Sequence, residues 1–172
     1  MAKNKNPEKS KNKPVIILTL LLSFLLILNL SSFILLYKNS KQQIPEKAEF
    51  RVAEIIDGDT FRIETGEYVR LIGVDAPEKS SSFYFSSSNF LKLLILNKTI
   101  ILEKDKDNRD NYGRLLRYAY VDYGNETLFI NYELVKRGYA IPLFVEPNLK
   151  YKDKIEEARQ TCLQEKNNLC SV

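Results

Sequence analysis

Residues 55–78 read IIDGDTFRIETGEYVRLIGVDAPE, and this stretch decides how the rest of the chain is read. Asp57-Gly58-Asp59 carries turn residues between two runs in which apolar and polar residues alternate, residues 50–56 and 61–63, so it predicts a β-hairpin. Thr65-Gly66-Glu67 is a second turn. Residues 68–74 then form a third strand, which Asp75-Ala76-Pro77 ends. Three strands thus bracket Asp59, Asp75 and Glu78. Pro77 fixes its own φ and stiffens the approach to Glu78, keeping the third acid near the other two.

Working outward, residues 87–97 show a helical period after a run of serines, and residues 99–103 and 115–123 read as strands. A turn at 123–126 leads to a helix over 129–136 that stops at Gly138, and a charged helix spans 149–164. Five short strands with a helix between the third and fourth predict an α+β domain, a five-stranded OB-type β-barrel with about three helices. Apart from Tyr112, the tyrosines and phenylalanines read as packing residues.

Toward the N-terminus, residues 15–36 read VIILTLLLSFLLILNLSSFILL without a charge. That is about the ~20 apolar residues a helix needs to cross a bilayer. The run is longer than the apolar part of a usual signal peptide and no Ala-x-Ala-like stretch follows it, which favours an uncleaved anchor over a leader. Lys3, Lys5, Lys9, Lys11 and Lys13 precede it, so the positive-inside rule places the N-terminus in the cytoplasm and the domain beyond the membrane. The expected organisation is a basic tail (1–14), a transmembrane helix (15–37) in the lipid bilayer, a linker (38–49), the domain (50–166) and a C-terminal tail (167–172).

Composition removes several chemistries from the 172 residues. There is no histidine, which excludes His-based triads and His-ligated zinc. The formal charge of +4 is an N-terminal effect: five of 26 basic and one of 22 acidic residues precede the apolar run, leaving 21 of each after it. Net charge therefore gives no argument for nucleic acid. Cys162 and Cys170 lie eight apart, about ~12 Å along an unbroken helix. A bridge requires the helix to end near Asn167; a buried Cys162 with an idle Cys170 is the other reading.

The chemistry-bearing residues are carboxylates and arginines. Asp59 and Asp75, with a carbonyl, offer hard oxygen ligands suited to Ca²⁺ or Mg²⁺. Arg70 and Arg114 sit at strand positions from which planar forks grip phosphate. Each signal alone is weak, because Asp-Gly is a common turn and an arginine at a strand edge is usually a solvated charge. The segment from Asp105 to Asp110 superficially suggests a calcium loop, but Asp110 and Leu116 occupy positions that need Gly and Glu, so it reads as a solvated loop.

Together, the 55–78 run followed by DNYGR (110–114) and NYELVKRGYA (131–140) resembles the thermonuclease family, proteins similar to staphylococcal nuclease. The resemblance covers residues 50–164. It implies that Asp59, Asp75 and the Ala76 carbonyl bind Ca²⁺, with Glu78 reaching the ion or its water. It also implies that Arg70, Glu78 and Arg114 are catalytic, that Asp57 supports the site and that Tyr112 contacts a terminal phosphate. The implied reaction is hydrolysis of single-stranded or flexible DNA and RNA to 3′-phosphates; with the apolar run as its anchor, the chain is expected to be a membrane-bound monomer. A shortened lysine-rich loop after Glu78, and Leu143 and Val145 in place of tyrosines, are departures that weaken base stacking. A non-catalytic OB-type module that binds nucleic acid or protein at the membrane is the alternative, although it leaves the acid and arginine set without work.

Overall fold

The computed structural model describes residues 17, 21–27, 29–30 and 47–171. The chain divides into two units, Met1–Gln43 and Ile44–Val172. In the first, the described residues are helical with exposed apolar side chains. The expected transmembrane helix, basic tail and most of the linker fall largely outside the described residues, among which no helix is long and apolar enough to cross a membrane.

In the second unit, β1 (Lys47–Ile55) is long enough to serve two neighbours. Its first half pairs antiparallel with β5 (Thr99–Glu103) and its second half with β2 (Thr60–Ile63). A register shift between Val52 and Glu54 marks the bulge at which the sheet bends. β2 pairs with β3 (Tyr68–Leu71), β5 pairs with β6 (Leu115–Asp122), and a parallel β3–β6 pairing closes the ring. The closed order β1-β2-β3-β6-β5 is the five-stranded OB-type barrel expected from the sequence. Alternation does the packing: Val52, Phe61, Ile63, Val69, Leu71, Leu102 and Leu115 are fully or almost fully buried.

The third strand departs from expectation. It was read as continuous through Val74, whereas β3 stops at Leu71 and β4 (Gly73–Asp75) leaves the barrel to pair with β8 (Ile141–Leu143). Gly73 makes the break with φ +77°, where an added Cβ would lie 2.7 Å from Ile155 Cδ1. Buried Asn131 clamps the corner: its Nδ2 donates to Ile72 O at 2.8 Å and its Oδ1 accepts from Ala119 N at 3.0 Å. The strand count among the described residues is therefore eight, of which five form the barrel.

Three α-helices complete the body: α1 (Tyr84–Ile95), α2 (Ile130–Lys136) and α3 (Lys152–Glu165). α1 starts three residues before the expected Ser87 because that serine is a packing residue, buried with its Oγ donating to Tyr139 O at 2.6 Å. α2 begins one residue late because Thr127–Phe129 forms β7 against β6. α3 ends at Lys166 in the left-handed region, and a 3-10 turn (Asn168–Cys170) brings Cys170 back to Cys162. The two form a disulfide with a Cα separation of 5.8 Å, so of the two readings left open the bridge is the one found. Residues 167–170, expected as a tail, lie on the body: Leu169 N donates to Gly138 O, and the Asn167 and Asn168 amides donate to the carbonyls of Lys136 and Arg137.

Candidate active site

The β1–β2 turn presents Asp59, and a close approach fixes it. A Cβ added at Gly58 would fall 2.0 Å from Ser87 Oγ and 2.6 Å from Ala76 Cβ, so glycine alone lets this turn press onto α1 and the Ala76 methyl. Asp57 Oδ1 accepts the Asp59 N–H at 3.0 Å, an Asx-type contact that shapes the turn. The Asp59 side chain is 8% exposed. It accepts from Ala76 N (2.7 Å), Thr60 Oγ1 (3.0 Å) and Arg70 Nε (3.0 Å). Burial outweighs the Arg70 charge and the hydrogen bonds and pushes its pKa up to about 6.

Arg70 bridges the two acids expected to share a cation. Its Nη2 donates to Asp75 Oδ1 at 2.9 Å and its Nη1 to the carbonyls of Leu71 (2.8 Å) and Val74 (2.6 Å). Those carbonyls flank the β3–β4 corner, so the break in the strand is what brings Asp75 to Arg70. With four of its N–H groups spent, Arg70 retains one on Nη2.

Arg114 stands across Thr60. Its Nε donates to Asp110 Oδ2 at 2.7 Å and its Nη1 reaches Thr60 Oγ1 at 3.5 Å. The result is a continuous series of alternating charges, from Asp110 through Arg114, Thr60, Asp59 and Arg70 to Asp75. Burial works to raise the Asp110 carboxyl, but the hydrogen bonds and charge of Arg114 and the Tyr112 N–H hold it below the ordinary range.

Arg70 and Arg114 line one cleft of about 410 Å³, together with Asp110, Leu143 and Val145. The two aliphatic residues thus occupy a wall where the resemblance implies aromatic ones. Tyr112 is 86% exposed, with the Arg114 guanidinium 5.4 Å from its ring centre. Glu78 is exposed, its backbone carbonyl accepting from Ser81 N, and its carboxylate has no hydrogen bond or ion pair among the described residues.

Thr60 and Asp110 were missed from the sequence. Asp105 to Asp110 is exposed over residues 106–109, as a solvated loop would be, but its acids are tied down: Asp105 accepts from Tyr118 Oη and Lys150 N, Asp107 pairs with Asn148, and Asp110 organises the turn to Arg114. An Asp followed three residues later by Gly is a turn signature that points to Asp110. Nor are all the aromatics packing residues, since Phe85 is 74% exposed.

Among the described residues, no group of three His, Cys, Asp or Glu side chains is gathered tightly enough to hold a metal by itself. The donor chemistry nevertheless fits a hard cation. Two carboxylates converge on one positive charge, and the buried one is under-compensated by it, which favours a further positive charge supported by a carbonyl and water.

The structure is an OB-type barrel with two arginines on one cleft, one of them holding a pair of acids. A family model described as Staphylococcal nuclease homologue matches residues 68–171. The chain is 33% identical over 144 residues to the Thermonuclease of Staphylococcus hyicus, covering 78% of this chain and 83% of that protein. It is 38% identical over 129 residues to the Thermonuclease of Staphylococcus intermedius (70% and 74% covered) and 36% over 127 to Endonuclease YncB of Bacillus subtilis (67% and 58%). This chain belongs to the staphylococcal nuclease family.

Proposed function

We propose that this protein is a calcium-dependent nuclease that hydrolyses phosphodiester bonds of single-stranded or flexible DNA and RNA. The observation that carries the reading is the joining of Arg70 and Arg114, through Asp59 and Thr60, on the wall of one cleft. Two guanidinium groups oriented in advance, by partners that do not leave during the reaction, suit the charge that builds on a phosphorane.

Glu78 lies exposed, with no side-chain partner among the described residues, where it can accept a proton from water as the water oxygen attacks phosphorus. The bond from phosphorus to the 5′-oxygen breaks, that oxygen takes a proton from solvent water, Glu78 returns its proton to solvent, and a 3′-phosphate and a 5′-hydroxyl result. Asp59, Asp75 and the Ala76 carbonyl would hold Ca²⁺, which when bound supplies charge neutralisation at a non-bridging oxygen. Arg114 gives its Nη groups to phosphate, Arg70 its remaining Nη2 proton, and Tyr112 contacts a terminal phosphate. Leu143 and Val145 offer bases weaker stacking than aromatic rings, by ~1–3 kcal/mol per base.

The chain is read as a single-pass membrane protein and a monomer, with residues 15–37 in the bilayer, the N-terminus cytoplasmic and the nuclease outside. The Cys162–Cys170 bridge supports that side of the membrane, because disulfides persist in oxidising compartments. Protease added to intact cells should digest the domain; protection would overturn the orientation. For the activity, a single-stranded oligonucleotide should be cut with Ca²⁺ to 3′-phosphate ends, not in EDTA, and on the order of 10²-fold more slowly by Arg70→Ala. Equal cutting in EDTA would refute calcium dependence.

A further inference from the structure

Asp110 makes more contacts with the 110–114 turn than a surface acid needs. Its Oδ1 accepts the N–H groups of both Tyr112 and Arg114 at 3.0 Å, and its Oδ2 takes Arg114 Nε at 2.7 Å. Its own backbone closes the turn, with Asp110 N donating to Arg114 O and Gly113 N donating to Asp110 O. The turn is anchored from below by Arg117, which is fully buried and donates to the Asn108 carbonyl and to Asn108 Oδ1. The carboxylate therefore stands on a rigid base.

What Asp110 grips also matters. A guanidinium has five N–H donors in a fixed plane, and holding it by Nε sets that plane while leaving the Nη groups to face elsewhere. One Nη reaches 3.5 Å to Thr60 Oγ1, whose hydroxyl is bound to Asp59. One Nη of Arg114 thus faces Thr60 and, through it, Asp59. Without the Asp110 contact, the rotatable torsions of the Arg114 side chain would have to be frozen when substrate binds.

We propose that Asp110 is the positioning residue of Arg114, setting the orientation in which that arginine meets the phosphate. The proposal rests on Arg114 acting on phosphate, as read above. Asp110→Asn keeps an oxygen for the backbone N–H groups and removes the charge facing Nε. Asp110→Glu keeps the charge and moves it by one methylene.

The test is a double-mutant cycle on the full-length chain in detergent with saturating Ca²⁺ and a single-stranded oligonucleotide. It uses wild type, Asp110→Asn, Asp110→Glu, Arg114→Ala and both Asp110 changes combined with Arg114→Ala, reading kcat, KM and Tm. With Arg114 present, Asp110→Asn should lower kcat about 10-fold with KM nearly unchanged, and Asp110→Glu should lower it less. With Ala at 114, neither change should lower kcat further, while any loss of Tm persists. The same fold-loss in both backgrounds would overturn the positioning role and leave Asp110 a turn former. Should Asp110→Asn fail to fold, the Asp110→Glu cycle decides by the same criterion. A wild-type rate for Arg114→Ala would instead sink the role of Arg114, and the positioning role with it.

Discussion

Reducing the Cys162–Cys170 bridge should lower the stability of the nuclease domain without touching its chemistry. The bridge closes a loop of about nine residues. The chain-entropy relation for such a loop gives about 2.6 kcal/mol of stabilisation at 25 °C. The domain spans roughly 125 residues. At about 2.1 cal/mol/K of unfolding entropy per residue, its unfolding entropy is near 0.26 kcal/mol/K. The expected fall in Tm is therefore about 10 °C. Neither cysteine lines the cleft that holds Arg70 and Arg114, so the cleavage rate at 25 °C should not change. The assay compares oxidised protein with protein reduced in denaturant and refolded in TCEP, by thermal unfolding and by thiol titration. Two titratable thiols before reduction, or a Tm within about 2 °C after it, would refute the reasoning.

Two further perturbations probe the framework. Gly58→Ala should cost about 1–3 kcal/mol by overpacking and slow cleavage as well, because the added methyl meets Ser87 and Ala76 beside Asp59; an unchanged Tm would contradict the close approach. Burial works to raise the Glu103 pKa, but hydrogen bonds from Lys150 and Tyr151 overcome it and hold the carboxyl below its ordinary value. The unfolded chain then binds more protons between the two pKa values, so this stabilisation is full at neutral pH and is lost as pH falls through the folded value. The Tm difference between wild type and Glu103→Gln should accordingly shrink below the usual glutamate range; a constant difference would show that Glu103 does not carry it.

The barrel was legible because alternation in residues 50–74 and 99–123 matches the pleat, and one face is buried throughout. The strand break at Ile72 was only half legible. Gly73 is a local sign of a bend, but the contact that clamps the corner comes from Asn131, 59 residues away, taking the Ile72 carbonyl, and no local pattern marks it. Asp59, Arg70 and Asp75 were found together because they share one run, whereas Thr60 was passed over because a threonine after a turn looks like any strand residue. Asp110 was hidden inside a mixed-charge segment whose acids look solvated in sequence and prove to be hydrogen-bonded in three dimensions. The serines of α1 misled in the opposite sense, since Ser87 packs where a helix start was expected.

In the proposed reaction these carboxylates and arginines cut phosphodiesters, and Glu78 is the group on which the attack by water depends. The most direct measurement is the single-turnover cleavage rate of an end-labelled single-stranded oligonucleotide at saturating Ca²⁺ by wild type and by Glu78→Gln. The predicted result is a loss on the order of 10²-fold or more with oligonucleotide binding retained. Cleavage by Glu78→Gln at the wild-type rate would contradict the account.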